Sequence, residues 1–122
     1  MIQGNYQKLR VWQLAMNLAN STYDYCDALP KQELYGISSQ LRRCAVSIPS
    51  NIAEGSQRTS DKEFGNFIRI AKGSLAELET QVLIALRRRY GNESIARKLL
   101  RESEQLSRML STLYARLTAH SP

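Results

Sequence analysis

The chain has 122 residues, a mass of 13.9 kDa, 17 Lys and Arg against 11 Asp and Glu, and a formal charge of +6. That length suits a single domain over residues 1–122, and 43% hydrophobic with 23% charged residues excludes a disordered chain. Three prolines and six glycines are too few turn residues for an all-β fold, and no apolar run approaches the roughly 18 residues of a membrane span.

The polar opening, Met1 to Arg10, lacks the apolar stretch of a secretion signal, so the expected compartment is the cytoplasm and no membrane partner is expected. Cys26 and Cys44 then read as small core hydrophobes and not as a disulfide. The first periodic segment covers about residues 8–28, with Trp12, Ala15, Met16, Ala19, Tyr23 and Cys26 at helical spacing and Leu29-Pro30 as its stop. A second covers about 37–55, with Ile37, Leu41, Cys44, Ala45, Ile48 and Ile52 as its stripe. Pro49 falls inside that register, which predicts one helix kinked at Pro49, with Gly55 as its terminator.

The third segment, about 60–89, opens on Ser60 with Glu63 three residues on, the pattern in which cap and carboxylate exchange hydrogen bonds. Phe64, Phe67, Ile68, Ala71, Leu75, Leu78, Val82, Ala85 and Leu86 form its apolar face. Arg87-Arg88-Arg89 lie at its end, where the helix dipole is negative. The fourth, about 92–118, is capped by Asn92 and carries Ile95, Leu99, Leu106, Leu110, Leu113 and Leu117. Four amphipathic helices with short connections predict an all-α, antiparallel up-and-down, left-handed four-helix bundle.

The sides opposite these stripes differ in character. Helix one places Val11, Leu14, Leu18 and Tyr25 there, and helix three places Ile70, Gly73 and Ile84, which predicts an interface between copies of the chain. Helix two carries Arg43, Ser47, Ser50 and Glu54, a set suited to close approach of another backbone or to charge pairing with a neighbour. Helix four carries Arg97, Arg101 and Arg108 over about 16 Å of axis at 1.5 Å per residue, with Lys98 and Arg116 beside them. Such a row can follow a phosphate backbone in RNA or DNA; the plainer reading is a solvated charged face.

Catalytic chemistry finds no footing. His120 is the only histidine and is the third residue from the end, there is no Glu-x-x-His, and the two cysteines have no paired ligands. The glycines are isolated and make no phosphate loop. Glu54, Glu77 and Glu79 read as structural or surface charges. The expectation is a protein without catalytic turnover, cofactor or metal.

Ser39-Gln40-Leu41-Arg42-Arg43-Cys44-Ala45-Val46-Ser47-Ile48-Pro49-Ser50-Asn51-Ile52-Ala53-Glu54-Gly55, the stretch from Glu63-Phe64 to Glu77-Leu78-Glu79, and the opening Leu9-Arg10-Val11-Trp12 resemble the bacterial four helix bundle protein family. That family includes proteins encoded within intervening sequences of large-subunit ribosomal RNA genes and is distantly similar to accessory proteins of diversity-generating retroelements. The resemblance implies a cytosolic bundle assembled into a ring, typically a pentamer, and retroelement relatives bind a reverse transcriptase and nucleic acid through a basic surface. Arg42, Arg43, Asn51, Glu54, Glu77 and Glu79 are the polar residues inside the motifs, suggesting a buried ion-pair network or a shared binding surface. Taken together, a homo-oligomer that binds structured RNA or DNA is expected, with a protein–protein scaffold as the alternative.

Overall fold

A computed structural model describes residues 5–119. Four helices, α1 (Arg10–Asp27), α2 (Ile37–Ser56), α3 (Asp61–Arg87) and α4 (Glu93–Thr118), follow one another, with short 3-10 turns at Tyr6–Lys8 and Lys31–Glu33. Each helix packs on its neighbour in sequence and α4 closes against α1, while the diagonal pairs do not meet. This is the four-helix bundle that the periodicity predicts.

The expected caps form. Ser60 Oγ accepts from the Glu63 N–H at 3.1 Å, and Asn92 Oδ1 accepts from the Ile95 N–H at 3.0 Å. Each satisfies a donor that the first helical turn leaves without a backbone partner, worth about 1 kcal/mol. Pro49 is buried and α2 runs as one element across it, so the unbroken apolar register outweighs the one bond the ring removes.

The core is one cluster drawn from all four helices. Its α2, α3 and α4 members match the predicted stripes: Leu41, Cys44, Ala45, Ile48 and Ile52; Ile68, Ala71, Leu75, Leu78, Val82 and Ala85; Leu99, Leu106 and Leu110. On α1 the prediction is corrected. The buried side is Val11, Ala15, Leu18, Thr22, Tyr25 and Cys26, with Leu29 following, whereas Met16 and Tyr23 are exposed. Thr22 hides this register because its polarity interrupts it; inside the bundle its hydroxyl donates to the Leu18 carbonyl at 2.7 Å.

Gly55 is also not a terminator. It lies inside α2, buried, where an added Cβ would stand 2.6 Å from Phe67 Cβ and 2.9 Å from Phe64 Cδ1. A side chain there would push α3 away, so the glycine sets how closely α2 and α3 approach.

The end of α3 is a turn of defined hydrogen bonding. Arg89 N–H donates to the Leu86 carbonyl at 3.0 Å and Tyr90 N–H to the Ala85 carbonyl at 2.9 Å. This is the two-bond helix stop that normally uses glycine at its left-handed residue, yet here that residue is Arg89 with φ 60. Left-handed backbone at a residue with a side chain costs on the order of 1 kcal/mol. Tyr25 fixes the turn from below: its fully buried ring leaves no room for a Cβ on Gly91, and its hydroxyl donates to the Tyr90 carbonyl at 3.3 Å.

Candidate functional site

Three surfaces carry the residues singled out by the sequence. The first is a polar cleft between α2 and α3, about 520 Å³, lined by Gln40, Arg43, Cys44, Ser47, Ser74, Glu77 and Gln81. It forms because the outward side of α2 is polar where it meets α3. Ser47 and Ser74 hydroxyls are 2.9 Å apart, Gln81 Nε2 donates to Gln40 Oε1 at 3.3 Å, and Asn51 Nδ2 donates to the Ser47 carbonyl at 2.8 Å. Burial pushes the Cys44 thiol above its ordinary range, and the Glu77 carboxylate beside it adds to the effect. A thiol held protonated in this way is a poor nucleophile.

The motif polar residues therefore do not make one buried ion-pair network. Arg42 stands over the Tyr23 ring at 5.7 Å and 3.8 Å from Asp27, joining α2 to α1 instead of α3. Glu54 pairs with Arg58 at 2.8 Å, one turn on, at the exposed end of α2. Arg43 and Glu77 reach the same cleft without forming an ion pair with any described residue, and Glu79 is half-buried on α3. Polar motif residues on adjoining helices meet only at the rim of the cleft, where solvent competes with their attraction.

The second surface is apolar and runs between α1 and α2. Trp12, Met16, Ala19, Tyr23, Val46 and Pro49 line a groove of about 430 Å³, and Leu34 and Tyr35 extend it over Tyr23 and Val46. Among the described residues, five of the eight large exposed hydrophobics, namely Met16, Tyr23, Leu34, Tyr35 and Val46, lie here, and Tyr35 is 92% exposed. This corrects the predicted interface. Val11, Leu18 and Tyr25 are buried within the single chain and Leu14 is half-buried against its core, so none can form an outer strip. The α3 part of that prediction lies where expected: Ile70 and Ile84 are exposed, and Gly73 has open space around it. Met16 and Tyr23 read as core in the sequence and face outward, whereas Trp12 is half-buried, packing against the core while it lines the groove.

The third surface is the outer side of α4. Arg97, Lys98, Arg101, Arg108 and Arg116 are all exposed, as their position opposite the leucines requires. They are not equivalent. Arg97 pairs with Glu93 at 2.9 Å and Arg108 with Glu104 at 2.6 Å, each one helical turn away. Lys98, Arg101 and Arg116 have no acidic partner among the described residues.

Among the described residues, no group of three or more His, Cys, Asp and Glu side chains could hold a metal ion, and no helix is long and apolar enough to cross a membrane. His120 lies outside the described residues.

The structure is similar to a solved protein of unknown function from the S23 ribosomal protein family of Bacteroides thetaiotaomicron, with a TM-score of 0.79 over 85% of this chain and 97% of that one. Identity to it is 23%, so the likeness speaks for the fold. No curated protein matches the sequence. The profile of the family described as 23S rRNA-intervening sequence protein matches residues 7–112, from the first turn to the last third of α4. The chain belongs to the 23S rRNA-intervening sequence protein family.

Proposed function

We propose that the protein is a non-enzymatic homo-oligomer, a ring of the pentameric kind, that binds structured nucleic acid through its basic exterior without reading sequence. The observation that carries the binding reading is the placement of charge. The net +6 sits on exposed cations, several of them without acidic partners, and none of the α4 cations is needed to hold the core together. Phosphate contacts by such cations release counterions, and a ring multiplies weak contacts by raising their effective concentration.

Self-association is supported by the α1–α2 face. A patch holding Met16, Tyr23, Leu34, Tyr35 and Val46 has no stabilising role in an isolated bundle, and covering it removes apolar area from water. Light scattering at micromolar concentration tests the assembly. A mass several times 13.9 kDa is expected, and Val46→Asp should reduce it while circular dichroism stays helical. A wild-type monomer would end the oligomer reading. Binding of duplex RNA and duplex DNA unrelated in sequence, followed as salt rises, tests the partner. Steep salt dependence on both supports phosphate-directed binding, and no binding at low salt leaves the scaffold reading in its place.

A further inference from the structure

We infer that the principal phosphate contact is the α3–α4 turn, Arg87, Arg88 and Arg89, and not the carboxylate-paired arginines of α4, Arg97 and Arg108; this rests on the nucleic-acid reading above. The pairing pattern separates the two. In the α4 row, Arg97 and Arg108 already hold Glu93 and Glu104, so a phosphate there is opposed by an adjacent carboxylate at both. Arg87, Arg88 and Arg89 are exposed, and none has a carboxylate partner among the described residues. Arg88 leans on the Tyr90 ring at 5.8 Å, which orders its guanidinium without neutralising it.

The backbone presents this cluster rigidly. The two hydrogen bonds that close α3, the left-handed Arg89 and Gly91 packed on Tyr25 fix where the three arginines leave the chain. Glycine would fill the Arg89 position with less strain, so a cation there goes against the local conformational preference.

The chemistry of the cations points to phosphate. The chain has 12 arginines and 5 lysines, and all three turn cations are arginine, whose planar fork donates two parallel bonds to a phosphate. Residues 87–94 expose no apolar side chain, while Leu83 and Ile84 are exposed one turn earlier on α3, so a lipid surface is the alternative that the vesicle arm below tests. The ligand this fits is the backbone of a nucleic-acid duplex, held by shape and charge.

Fluorescence anisotropy of a labelled RNA duplex with the full chain, across about 50 to 200 mM salt, tests the assignment. Three proteins are compared: wild type, Arg87→Gln/Arg88→Gln/Arg89→Gly, and Arg97→Gln/Arg108→Gln. The turn variant should flatten the log–log salt slope by about 2 to 3, since each phosphate contact contributes about 0.9, and the α4 variant by less than about 1. Arg89→Gly alone suits the left-handed backbone, so it keeps the fold in hand and should flatten the slope by about 1. A folded turn variant with the wild-type slope overturns the inference and leaves the nucleic-acid reading standing, as does a loss confined to the α4 variant. Wild type that binds neither duplex RNA nor duplex DNA at low salt overturns both, and so does wild type that sediments with phosphatidylglycerol vesicles while binding neither duplex.

Discussion

Gly55→Ala isolates the close approach of α2 and α3. In an open helix interior, replacing glycine by alanine stabilises by about 0.8–1.0 kcal/mol, because the unfolded glycine has more freedom to lose. At Gly55 the new methyl would lie 2.6 Å from Phe67 Cβ, an atom next to the α3 backbone that cannot move without the helix, and 2.9 Å from Phe64 Cδ1. Overpacking of that kind costs about 1–3 kcal/mol, so the net expectation is a loss of about 1 kcal/mol, near 4 °C in midpoint for a chain of this size. Gly73→Ala is the internal comparison, since a Cβ there meets nothing within 4 Å. It should stabilise by up to about 1 kcal/mol. Thermal melts by circular dichroism, at one protein concentration because assembly shifts apparent stability, read both. If Gly55→Ala stabilised as much as Gly73→Ala, the packing role assigned to Gly55 would be wrong.

Ser103→Ala should raise stability by about 1 kcal/mol, because Ser103 is fully buried and its hydroxyl has no hydrogen-bond partner. A urea midpoint no higher than wild type, at unchanged m, counts against this. The Cys26 thiol is pushed up to about 11, first by burial, with Arg42 opposing and Asp27 adding to the rise. The folded chain therefore keeps a proton that the unfolded chain releases near pH 9, so its stabilising contribution is complete below that pH. It is lost between about pH 9 and 11, with a slope of at most about 1.4 kcal/mol per pH unit. Urea titrations over that range should show a shallower decline for Cys26→Ala than for wild type, and parallel declines would refute the assignment.

Helix number, caps and most of the core are legible in the sequence, because Leu and Ile at spacings of three and four leave one arrangement of α2, α3 and α4. Helix α1 is not, for a local reason. Its true register, Val11-Ala15-Leu18-Thr22-Tyr25-Leu29, passes through a polar residue, while Trp12, Met16 and Tyr23 offer a rival stripe of larger side chains. Periodicity weighs hydrophobicity and cannot see that Thr22 satisfies its hydroxyl within its own helix. Gly55 misleads in the same way, since a glycine at a helix end signals a stop unless the neighbouring helix is known to lie against it.

The surfaces were less legible than the core because exposure depends on all four helices at once. The arginines of α4 look uniform in sequence, but Glu93 and Glu104 neutralise two of them. The cations at residues 87–89 look like ordinary complements to a helix dipole, and they do serve that role. Dipole compensation alone asks for a cation in the last turn of α3; it gives no reason for one at φ 60, beyond the last turn, where glycine is the less strained choice. The α1–α2 face gathers apolar side chains suited to another copy of the chain, while the α3–α4 turn gathers unpaired arginines suited to phosphate. The two features meet at one end of the bundle, where the Tyr90 hydroxyl donates to Glu33 Oε2 at 3.5 Å beside Leu34 and Tyr35. On the function proposed above, a ring that repeats a turn of three arginines would offer one duplex many weak contacts, and modest charge on a small bundle would then bind avidly.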